Sequence, residues 1–239
     1  MTKGKHFACH APLVTLCAAL DKPPGARPNG AMSDDPSLSR AYALRTPEDS
    51  VALYRDWAGT YDAGFARDSD YILHEQVARH FTLIGGFGPV LDVGAGTGLC
   101  GAALAARGNT PIDGTDISPE MLDVAARKDV YRDLFVANLL DGLPVPARPY
   151  QGAVSSGTFT NGHVGPEGIE PILAVLRPRA WVVLSVNAAH FEAAGFDAAL
   201  SQLAPRIDEL SLTDVPIYGP NAQGPHAADQ ARLVAFRVA

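Results

Sequence analysis

The sequence lacks most of the features by which a chain of 239 residues declares a function. It has 3 cysteines, at positions 9, 17 and 100. They are odd in number and irregularly spaced, which builds neither a disulfide framework nor a metal knuckle and fits a reducing compartment, so a cytoplasmic location is expected. No Lys lies between Lys22 and Lys128, and no basic run exceeds Arg127-Lys128. The net charge is −7, and Lys3, Lys5, Lys22 and Arg27 against Asp21 make the N-terminal end the basic one. Binding along a phosphate backbone needs clustered Lys and Arg, so no nucleic-acid partner is expected. No His or carboxylate pair has a spacing such as H-E-x-x-H, and no metal is expected. The apolar stretch from Phe7 to Leu20 is too short for a bilayer, and no membrane partner is expected. It imitates a signal peptide, but it carries His10 and Pro12 and no small-x-small site follows. Residues 1–45 therefore read as a disordered leader, with Met32 as an alternative start.

What the sequence does contain is a strand, a glycine turn and a helix. Val90-Leu91-Asp92-Val93, bounded by Gly88-Pro89, reads as a buried parallel strand, and the small-residue run ending at Arg107-Gly108 reads as a helix. Gly94, Gly96 and Gly98 permit a tight bend and let a ligand approach main-chain N–H groups that a Cβ would screen. A loop of this kind serves as an ordinary turn or cradles one of several nucleotide ligands. Without a Gly-Lys-Ser/Thr ending it is no Walker loop, and Leu99 stands where the dinucleotide fingerprint needs its third glycine. Asp92 would repel a pyrophosphate and suits a cationic ligand.

D-x-G-x-G-x-G after a strand resembles the first motif of class I S-adenosylmethionine-dependent methyltransferases. The resemblance implies that Gly94, Ala95, Gly96 and Gly98 pack against the cofactor's methionine and ribose portion, with Asp92 near its α-amino group. It also implies that Asp116, ending a second strand beside Ile117, accepts both ribose hydroxyls. Asn138-Leu139-Leu140-Asp141-Gly142-Leu143-Pro144 is similar to the family's A-D-x-x-x-L-P segment, and Asn138 replaces the Asp that accepts the adenine amino group; an amide oxygen can still accept it. Trp57-Ala58-Gly59-Thr60-Tyr61-Asp62 is similar to a W-A-x-x-Y-D element in which Trp57 and Tyr61 cover the methionine end. Gly157-Thr158-Phe159-Thr160-Asn161-Gly162-His163-Val164 closely resembles relatives of the methyltransferase-like protein encoded in the Williams-Beuren syndrome region.

Two helical segments precede the motif strand. One opens at Thr46-Pro47-Glu48-Asp49, and the other carries Ile72, Leu73, Val77, Phe81 and Ile84 on one face. Ser118-Pro119-Glu120 starts a helix with Ser118 as N-cap. Strands are expected at 134–137, 152–156 and 181–186, with helices at 167–176 and 191–203, and strand-like runs at 207–217 and 232–238 read as an antiparallel hairpin. Where the family usually writes Pro-Gly-Gly, Pro178-Arg179-Ala180 must strain or avoid any positive φ.

The fold class expected is α/β: a doubly wound, mostly parallel seven-stranded sheet with a C-terminal antiparallel hairpin and an N-terminal helical cap. Residues 46–239 form one domain in this reading, with the cap at 46–86 and a Rossmann-like core at 89–239. Ligands of doubly wound sheets sit off the carboxyl ends of strands, which puts Ser156 and the 157–163 loop at the reacting methyl and Leu139 and Ile117 beside the cofactor. His163, in that loop, is the candidate general base. The function expected is methyl transfer from S-adenosylmethionine to a small-molecule acceptor. Alternatives are a non-catalytic binder of S-adenosylmethionine or S-adenosylhomocysteine and, third, an NAD-dependent oxidoreductase, which Asp92 and Leu99 disfavour.

Overall fold

The computed structural model describes residues 61–146 and 149–239. The expectations for the leader, for the helix opening at Thr46 and for Trp57 lie outside the described residues. In chain order, a π turn at Tyr61–Ala66 precedes α1 (Leu73–Leu83), β1 (Val90–Val93), α2 (Leu99–Ala105), β2 (Ile112–Asp116), α3 (Pro119–Ala126) and β3 (Asp133–Val136). A 3-10 turn at Leu139–Asp141 leads on to β4 (Tyr150–Phe159), a second 3-10 turn (Pro166–Gly168), α4 (Ile169–Ala174), β5 (Leu176–Asn187), α5 (Ala188–Ala193), α6 (Phe196–Leu203), a third 3-10 turn (Ala204–Arg206), β6 (Ile207–Pro216) and β7 (Gln230–Val238).

The strands form one seven-stranded sheet in the order β3-β2-β1-β4-β5-β7-β6. The first five are mutually parallel; β7 runs antiparallel between β5 and β6. This is the doubly wound sheet with a terminal hairpin that the alternating strand and helix patterns imply. Strand order reverses between β1 and β4, and the crevice there is where such a sheet receives ligands.

Side chains alternate across the sheet and feed two cores. Val182, Leu184 and Val186 of β5 join Phe159, Ile172, Phe191, Phe196 and Phe236 on one face. Val183 joins Val77, Phe81, Val90, Leu104 and Leu233 on the other. The spacing of Leu73, Val77 and Phe81 buries one stripe of α1 there. Ser118 caps α3 as its sequence implies, accepting from the Met121 N–H at 3.3 Å with Pro119 in the first turn. Among the described residues no helix is long and apolar enough to cross a membrane.

Two stretches depart from the expected outline. The helix expected at 191–203 is broken by Gly195, whose φ of 76° ends α5 and starts α6 at Phe196. The turn at 178–180 is absorbed into a longer β5, where Arg179 adopts a φ of 70°. The strain that a missing glycine imposes is therefore present. The Arg179 guanidinium lies 3.8 Å from Asp208 and 3.9 Å from Glu209, both exposed, and such surface pairs return little of that cost. Arg179→Gly is expected to stabilise the fold by about 1 kcal/mol, read as a raised midpoint in urea denaturation; an unchanged or lower midpoint would show that the ion pairs outweigh the backbone strain.

Candidate active site

The three glycines after β1 all have positive φ, at 67°, 54° and 88°, and each for a different neighbour. A Cβ on Gly94 would collide with Thr158 Oγ1, whereas on Gly98 it would press on the Tyr131 ring and Ala125. At Gly96 a Cβ would meet no protein atom and would stand in open space. The loop also uses its own donors: Ala95 N–H donates to the Thr115 carbonyl at 2.9 Å, Gly98 N–H to the Ala95 carbonyl at 2.8 Å, and Gly96 N–H to Asp116 Oδ2 at 2.8 Å. Internal bonds and β2 take these amides, and of the three glycines Gly96 alone would place a Cβ in open space.

Asp92 likewise lies beneath the loop. It is fully buried, it is not part of the cavity wall, and Tyr131 Oη donates to its Oδ2 at 2.7 Å. Every residue of β1 is buried, and the Asp92 side chain, which alternates with Leu91 and Val93, lies against the Gly101 backbone of α2. Burial pushes the Asp92 carboxyl up to about 7, against the lowering effect of the Tyr131 bond. The Tyr131 ring also fills the space left by Gly98, Gly101 and Gly114, where added Cβ atoms would all crowd it.

A cavity of about 160 Å³ opens at the carboxyl ends of β1, β2 and β4. Of the residues expected from sequence, Gly94, Ala95, Gly96, Asp116, Ile117, Asn138, Leu139, Ser156, Tyr61 and His163 line it, and Asp92 and Gly98 do not. The Asp116 oxygens accept from Gly96 N–H at 2.8 Å and Ser118 N–H at 2.9 Å. Burial raises its pKa, and these amides oppose the rise. Asn138 caps the following 3-10 turn through the Leu140 N–H at 3.2 Å.

One further wall and one brace were not foreseen. Tyr71 and His74, at the start of α1, stack at 5.6 Å and face the cavity, and Tyr71 Oη lies 3.3 Å from Ser156 Oγ. Their position is set from the far end of the chain. Ile72 N–H donates to the Ile217 carbonyl at 3.0 Å, and Gly219 N–H to the Asp70 carbonyl at 2.7 Å. On the other side, His190 of α5 grips the loop after β4: Nε2–H donates to the Val164 carbonyl at 2.9 Å, and Nδ1 lies 3.1 Å from the Asn161 amide. These two contacts flank Gly162 and His163, the residues presented to the cavity.

A known family covers this region. The methyltransferase-domain family matches residues 90–179, the stretch from β1 into β5. Over those residues the chain carries a match to a methyltransferase domain. It is 30% identical over 126 residues to methyltransferase-like protein 27 of Homo sapiens, covering 52% of this chain and 50% of the relative. It is 36% identical over 66 residues to the 18S rRNA (guanine-N(7))-methyltransferase of Mus musculus, 28% of this chain and 23% of the relative. The chain thus spans half or less of the length of these curated relatives. Among solved structures, the 1,6-didemethyltoxoflavin-N1-methyltransferase of Burkholderia thailandensis, with bound 1,6-didemethyltoxoflavin and S-adenosylhomocysteine, shares the fold with a TM-score of 0.56. It is 20% identical, and the match covers 82% of this chain and 91% of that one.

In the methyltransferase domain the glycines make separable predictions. Gly94→Ala should destabilise the fold, whereas Gly96→Ala should cost only about 1 kcal/mol of backbone strain while weakening S-adenosylhomocysteine; thermal melts and calorimetry on the pair separate the two effects, and equal destabilisation would refute the open space at Gly96. Asp92 gives a pH signature. The folded chain keeps its proton to about pH 7 and the unfolded chain releases it near the ordinary 3.8, so this group's contribution is complete below about pH 4 and is lost as pH rises through 7. Asp92→Asn should leave stability at pH 4 nearly unchanged and raise it at pH 8 by on the order of 3 kcal/mol in urea titrations; no difference between the two pH values would mean that the carboxylate ionises freely in the fold.

Proposed function

We propose that this chain transfers a methyl group from S-adenosylmethionine to a small-molecule acceptor, in the cytoplasm, with residues 46–239 acting as one domain. The observation that carries the reading is convergence: residues from the ends of β1, β2 and β4 and from the turn after β3 meet on one cavity. The residues fit the donor. Gly96 leaves open the space that a Cβ would fill, and beside it each Asp116 oxygen keeps accepting capacity after its backbone bond, matching a ribose diol. Ile117, Met121 and Leu139 offer apolar flanks to a base whose amino group Asn138 Oδ1 can accept. Tyr61 and Ser156 bound the opposite end.

When bound, the donor supplies an electrophilic methyl group on a sulfonium. The chain's part is to align acceptor, methyl and sulfur and to exclude water, and alignment alone can contribute about 7–11 kcal/mol. His163, on the loop braced by His190, takes the proton from a hydroxyl or amine acceptor, a role that contributes about 10²–10⁴-fold. The small acceptor is supported by the net charge of −7 and by a cavity closed in by aromatic side chains. The buried Cys100 thiol accords with a reducing compartment.

Incubation with methyl-labelled donor and either a metabolite extract or total RNA tests this. Label is expected in the small-molecule fraction. Label in RNA would overturn the acceptor class, and intact S-adenosylhomocysteine binding with no transfer to either would favour a non-catalytic binder. Asp116→Ala should weaken S-adenosylhomocysteine by about ten-fold or more, as expected for the loss of charge-assisted hydrogen bonds. His163→Ala should leave that affinity unchanged and lower transfer by about 10²; full transfer at every pH would remove His163 as a base.

A further inference from the structure

We propose that His74 binds the amino-acid end of the methyl donor, its Nδ1–H donating to the α-carboxylate. The inference rests on the reading that the cavity holds S-adenosylmethionine. Ribose on Asp116 and adenine beside Asn138 and Leu139 fix one end of the ligand. The same cavity is lined by the glycine loop, by Ser156 and Gly157, and by Tyr71 and His74, with Tyr71 Oη 3.3 Å from Ser156 Oγ. A nucleoside tail carrying an ammonium and a carboxylate must find polar partners there.

Most of the groups there are already taken. The Val93 carbonyl accepts from Ser155 Oγ at 2.8 Å and Thr158 Oγ1 at 3.1 Å. Thr97 Oγ1 donates to Asp62 Oδ1, and Lys128 Nζ binds Asp62 Oδ2. The amides of Ala95, Gly96 and Gly98 are used within the loop. His74 differs from these: its Nδ1 is buried with no hydrogen-bond partner, and a buried polar group left in that state calls for a ligand or a solvent molecule. Its ring is held by the stack on Tyr71, whose hydroxyl approaches Ser156, so the imidazole is fixed before a ligand arrives.

The charges around the ring come from four segments: Glu75 on α1, Asp62 in the π turn, Arg107 after α2 and Lys128 after α3. Burial, the largest influence, holds the imidazole pKa below its ordinary value, so the free site presents a neutral ring with one N–H. A carboxylate brought against it accepts that N–H and replaces the missing partner.

Calorimetry with two ligands tests the assignment. S-adenosylhomocysteine carries the amino-acid end, and 5′-methylthioadenosine shares the nucleoside without it. His74→Ala should weaken S-adenosylhomocysteine ten-fold or more and leave 5′-methylthioadenosine unchanged, and His74→Asn, which keeps a short N–H donor, should recover most of the loss. An equal loss for both ligands, or no loss for either, overturns the proposal. If the unaltered protein binds neither ligand, the donor reading itself fails, an outcome distinct from a His74 variant that binds both as the parent does.

Discussion

The carboxylate of Asp116 joins two segments that diverge from the sheet. One oxygen holds the amide of Gly96 in the loop after β1, and the other holds the amide of Ser118 at the start of α3. β1 and β2 are neighbours in a parallel sheet, so their connections leave the same edge with unpaired backbone groups. A half-buried carboxylate at that edge satisfies two of them and ties the glycine loop to β2. Its cost in desolvation is offset only because both amides are within hydrogen-bond distance. The acid that the sequence singles out for a ligand is thus first a structural acceptor, and it also lines the cavity.

The local patterns were legible because local rules produce them. The apolar stripe of α1, the Ser118 cap and the strands β5 and β7 each follow from a few neighbouring residues. Most of the cavity wall was legible too, since a doubly wound sheet delivers strand ends to a common edge. Asp92 and Gly98 lie outside the cavity wall. A motif names which residues stand near a ligand, but it does not say which of them face it. In β1, buried on both sides, Asp92 points toward α2, where Tyr131 is its partner.

What sequence could not reveal was tertiary. His74 reads as one residue of an amphipathic helix until Tyr218 pairs with Tyr71 and the chain near Ile217 and Gly219 fastens the start of that helix over the cavity. His190 reads as an isolated imidazole until α5 turns it onto Asn161 and Val164. Both arrangements use segments after β5 to shape a site whose motifs all come before it. The segments after β5 therefore contribute as braces rather than as motif, and a search confined to the family segment at 90–179 would leave them out.

Tyr131 binds several positions into a single unit of sequence drift. Its ring occupies the volume that Cβ atoms on Gly98, Gly101 and Gly114 would need, and its hydroxyl is the donor to Asp92. A descendant of this chain cannot lose the glycines singly while the tyrosine stays, and exchanging the tyrosine for a small residue would leave a void under the loop and a buried acid without its donor. The five positions are expected to vary together or not at all. In a set of related sequences they would mark a lineage, separating chains that kept an aromatic floor beneath the loop from those that filled the same space with side chains on α2 and β2.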